Sequence, residues 1–537
     1  LVGSEMCIRD SGYGVRWATT LNYEVQGLGD NHNLSFLVGN EVLASKSDYT
    51  EIYGVGYPEG FTMDDAFGMI NMTTPSLGQD YFKGEIGTPN HTLSWFGRAN
   101  YSYKGKYLFT FSNRWDGVSQ FSAGHKWDSF PAGAIAWRIS DEPFMNVAKN
   151  WLNNLKLRVG YGITGNSGGV DAYGTTTQAY VYTGNGLTLN GQNSSFTQYT
   201  GTYGSKDLGW EKSYNWNVGL DYGILNNRVD GSIEWFKTTT KGLLFKRTLP
   251  ITSGLTGWGS PLSIWQNIAE TSNQGVEVTI NSHNIKTKDF SWTTSLNLSH
   301  NKNKIVKLAD LPEFIDGNYI RKEGCSYATI YLREYAGVDP NDGRPMYYDN
   351  KEDENGNRSR NIVYDPNDAD RVELKDIYPK LTGGLMNTFN YKFIDLSFNL
   401  SFHLGGYSYD GAMYALQDDG YTAQYNKSTE LRRRWKQPGD ITDVPRYVYG
   451  QEYGGWWNSS RGVHSTDHLR LKSLIVGVSA PQSWLRTIGI NSARIYFSGT
   501  NLLTWAAYDQ YDPELNGIVS YFTPPLKTFA FGLELKF

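Results

Sequence analysis

The sequence predicts an all-β fold, an antiparallel transmembrane β-barrel, from three observations. Apolar and polar residues alternate over long segments, many segments are about 9–11 residues long, and aromatic residues lie near their ends. A tilted strand needs about this length to cross a bilayer, whereas strands of soluble proteins usually have about 5–6 residues. The pattern therefore favours strands that span a membrane.

The C-terminal segment shows the alternation most clearly. Its apolar positions are Phe529, Phe531, Leu533, Leu535 and Phe537, and Ala530, Gly532, Glu534 and Lys536 lie between them. Alone, this segment fits a half-buried strand of a soluble sandwich equally well. The same alternation recurs in Tyr214–Tyr222 and Ile394–Leu404, and terminal tyrosines suit the aromatic girdle of a barrel. We therefore predict that the apolar side chains of the last segment face lipid and that Glu534 and Lys536 face the lumen.

Taken in chain order, alternation and turn residues predict roughly fifteen strands. They cover residues 14–25, 32–45, 94–104, 106–115, 131–139, 155–164, 213–223, 227–237, 274–284, 288–300, 379–391, 393–404, 466–479, 491–503 and 526–537. Some connections are short, as at Gly105, whereas four are long: 164–212, 238–273, 301–378 and 405–465. Short turns on one side and long loops on the other are typical of outer-membrane barrels. A short helix is predicted near Asp141–Leu155, with Ser140 and Pro143 as its start signals.

Composition and charge exclude several classes of protein. The chain has 537 residues, 15% aromatic residues, 59 glycines and a net charge of −5, with a mean hydropathy of −0.50. It has no run of 18 apolar residues, so no transmembrane helix is predicted. Two cysteines, Cys7 and Cys325, exclude a disulfide framework. The basic run Arg432–Arg434 is short and is expected to be a solvated loop, so no nucleic-acid partner is predicted.

The first ten residues, LVGSEMCIRD, have none of the regions of a signal peptide. We expect residues 1–10 to be a non-native leader and residues 11–537 to form a partial β-barrel domain.

Several ordered segments resemble the SusC/RagA-type TonB-dependent outer-membrane transporters of Bacteroidota. They include FGRANYSYKGKYLFTFSNRWDG (Phe96–Gly117), FPAGAIAWRISDEPF (Phe130–Phe144), LGWEKSYNWNVGLDYG (Leu208–Gly223), YPKLTGGLMNTFNYK (Tyr378–Lys392) and RIYFSGTNLLTW (Arg494–Trp505). Any one of these motifs is weak, but the ordered set covers almost the whole chain after Ser11. The resemblance implies the C-terminal, roughly 14–16 strands of a 22-strand barrel, without the plug domain.

The same resemblance implies a function and partners. It implies an outer-membrane importer of oligosaccharides or peptides that works with a SusD-like surface lipoprotein and receives energy from TonB through an N-terminal region that this chain lacks. Outer-membrane lipid is then a further partner, and no cofactor is expected. The alternatives are a surface ligand-binding or adhesion protein that does not transport, and a passive porin.

No enzyme is predicted. The eight histidines are scattered, and no HExxH, GxSxG, Walker A or CxxC motif is present, so no catalytic residue is assigned. His403 is interpreted as a solvated lumen residue. In the acidic loop 339–376, Asp353, Asn355 and Gly356 match part of an EF-hand loop, but Lys351 and Ile362 fall where its first and last ligands belong. No metal site is predicted, although a calcium site of another kind stays open.

Tryptophans outside the strands or at their ends are the candidate contacts for substrate or partner. An indole face stacks on the apolar face of a sugar ring, and neighbouring amides can bind its hydroxyls. Packing inside the loops or in the girdle is the competing interpretation. The candidates are Trp210, Trp258, Trp265, Trp456 and Trp457.

Overall fold

A computed structural model describes residues 4–55, 62, 81–86, 89–170, 174–177, 179–182, 188–189, 192–193, 196–199, 202–254, 256–257, 260–308, 312–421, 424–450, 458–485, 489–515, 517–520 and 523–537. The prediction of an all-β antiparallel fold is confirmed. No helix in this described part of the chain has the length and apolar character needed to cross a membrane.

Within the described residues, one mostly antiparallel sheet has seventeen strands. They are β1 (Ser4–Glu24), β2 (His32–Val55), β3 (Tyr81–Ile86), β4 (Asn90–Tyr103), β5 (Tyr107–Val118), β6 (Trp127–Arg138), β7 (Leu152–Asn166), β8 (Thr202–Tyr203), β9 (Glu211–Ile224), β10 (Val229–Thr248), β11 (Ser263–Lys286), β12 (Phe290–Leu308), β13 (Leu381–Tyr391), β14 (Ile394–Leu404), β15 (His468–Ser479), β16 (Ser492–Ala506) and β17 (Thr528–Lys536). Each of the fifteen predicted strands has a counterpart here, and β3 and β8 are additional.

Shorter elements lie between these strands. The short strands are Ala179–Tyr182, Thr188–Leu189, Gln192–Asn193, Phe196–Tyr199, Thr256–Gly257, Ser260–Pro261, Glu313–Asp316, Tyr319–Lys322, Thr329–Arg333, Tyr335–Val338, Pro345–Tyr348, Ile362–Val363, Tyr407–Asp410, Val463–Ser465 and Gly517–Val519. The α-helices are Met413–Leu416 and Gln482–Leu485, and the 3-10 helices are Ile139–Asp141, Pro143–Ala148, Ile251–Ser253, Pro366–Asp368, Thr429–Arg433 and Ser460–Gly462.

The helix predicted near Asp141–Leu155 is wrong in type and extent. The structure has two 3-10 turns there, and strand β7 already begins at Leu152. The carbonyl of Trp151 accepts a 2.7 Å hydrogen bond from the backbone N–H of Leu225. Pairing with this neighbouring hairpin overrides the weak local preference for a helix.

The chain divides into two compact units. One comprises residues 1–135, 160–215 and 240–269, and the other comprises residues 136–159, 216–239 and 270–537. In the first unit, β2 pairs with β1, β3 and β4, and β4 pairs with β5. Three residues join β4 to β5, and two of them, Lys104 at φ 51° and Gly105 at φ 64°, are the left-handed pair of a tight hairpin turn. The short connection predicted at Gly105 is confirmed.

In the second unit, β12 to β17 pair antiparallel in chain order and separate apolar from polar side chains. Ile495 lies opposite both Leu533 and Val478, and these side chains are 63%, 62% and 47% exposed. The other face carries Arg494, whose guanidinium binds both carboxylate oxygens of Asp395 at 3.0 and 2.7 Å. Strands with one apolar exposed face and one charged face are the arrangement expected of a barrel wall between lipid and an aqueous lumen.

Large rings on one strand lie over glycines on the next. A Cβ added at Gly532 would come within 2.2 Å of the Tyr496 ring, and one added at Gly383 within 2.4 Å of Phe402. These glycines are therefore required for close approach, since any side chain would displace a cross-strand aromatic ring.

Candidate functional site

The long loops of the second unit emerge from one end of the sheet. Strands β12 and β13 are joined by residues 309–380, β14 and β15 by 405–467, and β16 and β17 by 507–527, whereas the opposite end has the short connections 392–393 and 480–491. Because successive strands are antiparallel, the three long connections lie at the same end. The described residues of these three loops are called the loop assembly below.

The loop assembly has secondary structure of its own, which the sequence did not predict. Within 309–380, Glu313–Asp316, Tyr319–Lys322, Thr329–Arg333 and Arg371–Asp376 form a four-stranded sheet, and Tyr335–Val338, Pro345–Tyr348 and Ile362–Val363 form a three-stranded one. A further sheet joins the other two loops, because Tyr407–Asp410 pairs antiparallel with Val463–Ser465 and parallel with Gly517–Val519. The long connection predicted at 301–378 is present as residues 309–380, but the strands within it were not predicted.

A hydrophobic core and cross-loop hydrogen bonds hold the assembly together. Leu332 and Tyr347 are fully buried. Tyr335 donates its backbone N–H to Ser460 Oγ at 2.9 Å and its hydroxyl to the carbonyl of Asp443 at 3.0 Å. These bonds join the 309–380 loop to the 405–467 loop, so the two are positioned as one body.

A small polar pocket of about 180 Å³ opens within this assembly. Its lining consists of Asp410, Ala412, Leu416, Gln417, Ser428, Gln510, Tyr511, Val519 and Ser520. Asp410 is 5% exposed and accepts hydrogen bonds from the Tyr508 hydroxyl and from the Ala412 backbone N–H, both at 2.9 Å. Burial raises the pKa of Asp410 and raises that of Tyr511 to about 12. The pocket presents hydroxyl, amide and carboxyl groups, a set suited to hydrogen bonding with a polar solute.

His464 packs against Tyr508, the residue that donates its hydroxyl to Asp410 of the pocket. Its ring stacks on Tyr508 with centroids 3.7 Å apart and planes 2° apart. Burial, followed by repulsion from Arg461, lowers the pKa of His464 to about 4. The imidazole is therefore neutral at pH 7 and holds Tyr508 in the position from which it reaches Asp410.

An ionic cluster anchors the 507–527 loop to the strands. Arg470 on β15 donates to Asp512 at 2.7 Å, to Glu514 at 2.9 Å and to Thr504 at 3.0 Å, and Lys472 donates to Glu514 at 2.6 Å. The side chains of Arg470 and Asp512 are only 4% and 5% exposed. We call Arg470, Lys472, Asp512 and Glu514 the ionic anchor.

The sequence interpretation missed the ionic anchor, although one signal was present. One set of apolar residues on β15 is spaced by two, except for a step of three between Leu471 and Leu474; the set is Leu469, Leu471, Leu474, Val476 and Val478. The structure has a β-bulge there: Lys472 is the extra residue opposite β14, and the pairing with β16 also shifts register between Leu471 and Ser473. A three-residue step in a two-residue pattern indicates a bulge, and bulges redirect side chains next to functional sites.

The candidate tryptophans divide into two that the structure describes and three that it does not. In the first unit, Trp210 and Trp265 pack against a buried cluster of Val118, Phe121 and Leu208. The indole N–H of Trp210 donates to the Lys126 carbonyl at 3.0 Å, and its ring meets Phe121 and Phe130 edge-on, with centroids 5.4 and 5.1 Å away. Trp258, Trp456 and Trp457 lie outside the described residues. Ligand contact by any of the five stays a prediction.

The acidic loop uses its carboxylates to hold turns. Asp353 accepts from the backbone N–H groups of Asn355 and Asn357 at 2.9 and 2.7 Å and from the Asn357 amide at 3.2 Å. Within the described ranges, the structure contains no group of three or more His, Cys, Asp or Glu side chains that could hold a metal ion. His403 lies on the polar face of β14, half-buried, with its ring 4.8 Å from that of His468.

Comparison with known proteins places the chain in a family. A family model described as "TonB dependent receptor-like, beta-barrel" matches residues 8–419. TonB-dependent receptor P3 of Formosa agariphila is 34% identical over 490 residues, covering 83% of this chain and 45% of the relative. TonB-dependent receptor SusC of Bacteroides thetaiotaomicron is 32% identical over 473 residues, covering 84% and 44%. The chain therefore spans about half the length of the curated relatives it matches.

Solved structures agree with this comparison. The structure of the RagAB peptide transporter covers 99% of this chain with a TM-score of 0.82 and 25% identity, and the match takes in 56% of that chain. The resemblance to SusC/RagA-type proteins is thus confirmed in both sequence and fold. On these grounds the chain belongs to the TonB-dependent receptor-like β-barrel family.

Proposed function

We propose that this chain supplies barrel wall and extracellular loops to a TonB-energised importer of the outer membrane. One observation carries the proposal: three long loops fold into a single body at one end of strands whose two faces are apolar and charged. Such a wall can face lipid on one side and enclose an aqueous lumen on the other, and the loop assembly is placed to recognise a solute at the mouth of that lumen. The matched family consists of receptors, so we assign no bond-making or bond-breaking step to this chain.

The transported solute is proposed to be an oligosaccharide or a peptide. The polar pocket offers Asp410, Gln417, Gln510 and Tyr511, groups that can bind sugar hydroxyls or peptide amides. SusC and the RagAB peptide transporter are among the proteins that this chain resembles, and RagAB supports the peptide alternative. Glycan import remains our first proposal, with the hydroxyl-binding groups of the pocket as its support.

A SusD-like surface lipoprotein is the proposed partner, with TonB as the source of energy. The bonds from Tyr335 to Ser460 and Asp443 make the loop assembly a firm platform. A preorganised surface lowers the entropic cost of binding a partner protein. Substrate would then be held between this platform and the lipoprotein before it enters the lumen.

Uptake by cells tests the proposal directly. The full-length protein is expressed in a strain that lacks its own copy, and uptake of fluorescent oligosaccharides and oligopeptides is measured with and without a protonophore that removes the energy for TonB. We expect uptake of one class only, lost with the protonophore, together with co-purification of a lipoprotein. Uptake that survives the protonophore would indicate a passive porin. Binding at the surface without uptake would indicate an adhesion protein.

A further inference from the structure

A large groove opens on the apolar face of the first unit, among β1, β2, β4 and β5. It has a volume of about 650 Å³. Gly97 forms its floor, in a cross-strand row with Val38 and Asn113. The row on one side contains Trp95 paired with Trp115, and the row on the other contains Ala99 paired with Phe36 and Phe111. The missing side chain at Gly97 therefore leaves a channel between two aromatic walls.

The walls of this groove are exposed although they are apolar. Trp95, Trp115 and Phe111 are 52%, 54% and 59% exposed. An exposed aromatic surface of this kind is unfavourable in water and marks a surface that another apolar body covers. On an outer-membrane barrel the apolar strand face meets lipid, so the groove is continuous with the membrane-facing surface.

Aromatic residues define the depth of the groove. Near the β4–β5 turn, Tyr103 lies beside His32 and Tyr107, with ring centroids 4.9 and 6.2 Å away. Trp95 is eight residues from Tyr103, which is about 26 Å along a strand and about 20 Å along the membrane normal at a tilt of about 40°. The apolar band between the two aromatic girdles of a barrel is about 25 Å tall. Gly97 therefore lies inside the hydrocarbon region.

We propose that this groove binds one acyl chain of an outer-membrane lipid. The proposal depends on the membrane location of the chain and goes beyond its role in import. A narrow channel floored by a glycine accepts an unbranched, flexible chain, whereas the surrounding wall meets lipid only loosely. The polar side chain in the same cross-strand row as the floor, Asn113, already accepts a 2.9 Å hydrogen bond from the Ser129 hydroxyl through its amide oxygen, so the site is suited to a hydrocarbon ligand.

The structure provides a variant that fills the groove and a matched control. A Cβ at Gly97 would meet only the Leu37 carbonyl at 3.7 Å and Val38 Cγ1 at 3.9 Å, and a Cβ at Gly133 would meet only the Thr110 carbonyl at 3.7 Å. Both contacts are ordinary, so a Cβ is accommodated at either position without displacing a neighbour, and leucine is the residue chosen to fill the groove. Gly133 is on β6, two residues from the 52% exposed Ile135 and on the same strand face, but it does not line the groove.

Native mass spectrometry of the full-length protein, extracted from outer membranes in mild detergent, tests the site. We expect wild type and Gly133→Leu to retain one more lipid than Gly97→Leu, with all three showing heat-modifiable mobility on gels. If Gly97→Leu fails to fold, Gly97→Ala takes its place, and its added methyl should weaken retention of the same lipid. Equal lipid counts in wild type and the folded Gly97 variant would overturn the proposal. The proposal would also be overturned if the Gly97 variant lost the mass of a protein dimer and kept its lipid, because the groove would then bind a second copy of the protein. Uptake is measured separately, since its failure bears on import and not on this groove.

Discussion

Replacing Arg470 with methionine should release the 507–527 loop from the strands while leaving the barrel wall intact. The substitution keeps much of the side-chain volume but removes the partner of Asp512, whose carboxylate is only 5% exposed. Breaking a buried ion pair by removing one partner typically costs about 3–5 kcal/mol. Because about 1.4 kcal/mol corresponds to a factor of ten, the ratio of undocked to docked loop should rise by at least about 100-fold.

Limited proteolysis of the full-length protein in detergent measures this ratio, since Lys527 at the end of the loop is a trypsin site. The matched control is Arg494→Met, because Arg494 and Asp395 form a similar pair whose side chains are 26% and 27% exposed. Water already screens that pair, so its loss should cost only about 0–1 kcal/mol. Equal cleavage rates at Lys527 in Arg470→Met and wild type would refute the ionic anchor.

A double replacement tests whether the loop undocks because the ion pair is missing or because a buried charge is left without a partner. Arg470→Met combined with Asp512→Leu removes both buried charges and leaves Lys472 beside Glu514. An apolar pair of similar volume is often as stable as a buried ion pair. Cleavage in the double variant should therefore return toward the wild-type rate. Cleavage as fast as in Arg470→Met alone would show that the apolar pair does not restore docking.

Three further outcomes are expected. The pKa of His464 is about 4 in the folded protein and about 6.5 when unfolded, so its stabilising contribution is present above pH 6.5 and is lost as the pH falls toward 4. The loss amounts to up to about 3 kcal/mol. Proteolysis of the loop assembly should therefore accelerate from pH 7 to pH 4.5, and His464→Phe should reduce this pH dependence. Trp210→Ala should lower the free energy of unfolding by about 3–5 kcal/mol if packing against Phe121 and Phe130 is its role, whereas unchanged stability with weaker uptake would indicate ligand contact. Leu533→Arg should cost about 2–4 kcal/mol near the membrane midplane, measured by urea unfolding in lipid, and Glu534→Gln on the other face should cost far less.

Strand positions were predictable because the two-residue period is a local property of the sequence. Alternation placed β14 at 393–404, within one residue of the observed Ile394–Leu404. It failed at strand ends, where pairing extends a strand beyond its own pattern. Strand β11 begins at Ser263, eleven residues before the predicted start, through the polar stretch Gln266–Asn273.

The loop assembly and ionic anchor were not predictable because they depend on contacts between distant residues. Asp512 is 42 positions from Arg470, and no local pattern specifies that pairing. The short strand Gly517–Val519 pairs with Tyr407–Asp410, a segment distant in the sequence. The tryptophan interpretation rested on residue type, which does not distinguish a packed indole such as Trp210 from one that is free to stack on a ligand.

The ion pairs of the second unit differ in burial, and this difference indicates what each is for. The pair of Arg494 and Asp395 lies on the charged face of the wall and is about one quarter exposed. A hydrated pair stabilises little and leaves its polar atoms accessible to water. The pair of Arg470 and Asp512 is almost dry, so its net contribution against an apolar pair is small while its geometric requirement is strict. That strictness gives the 507–527 loop one docked position, and the same loop carries Tyr511 into the polar pocket. A dry pair that fixes the loop beside the polar pocket and hydrated pairs along the wall both support the proposed role, in which a solute is held at the mouth of the barrel and released into an aqueous path.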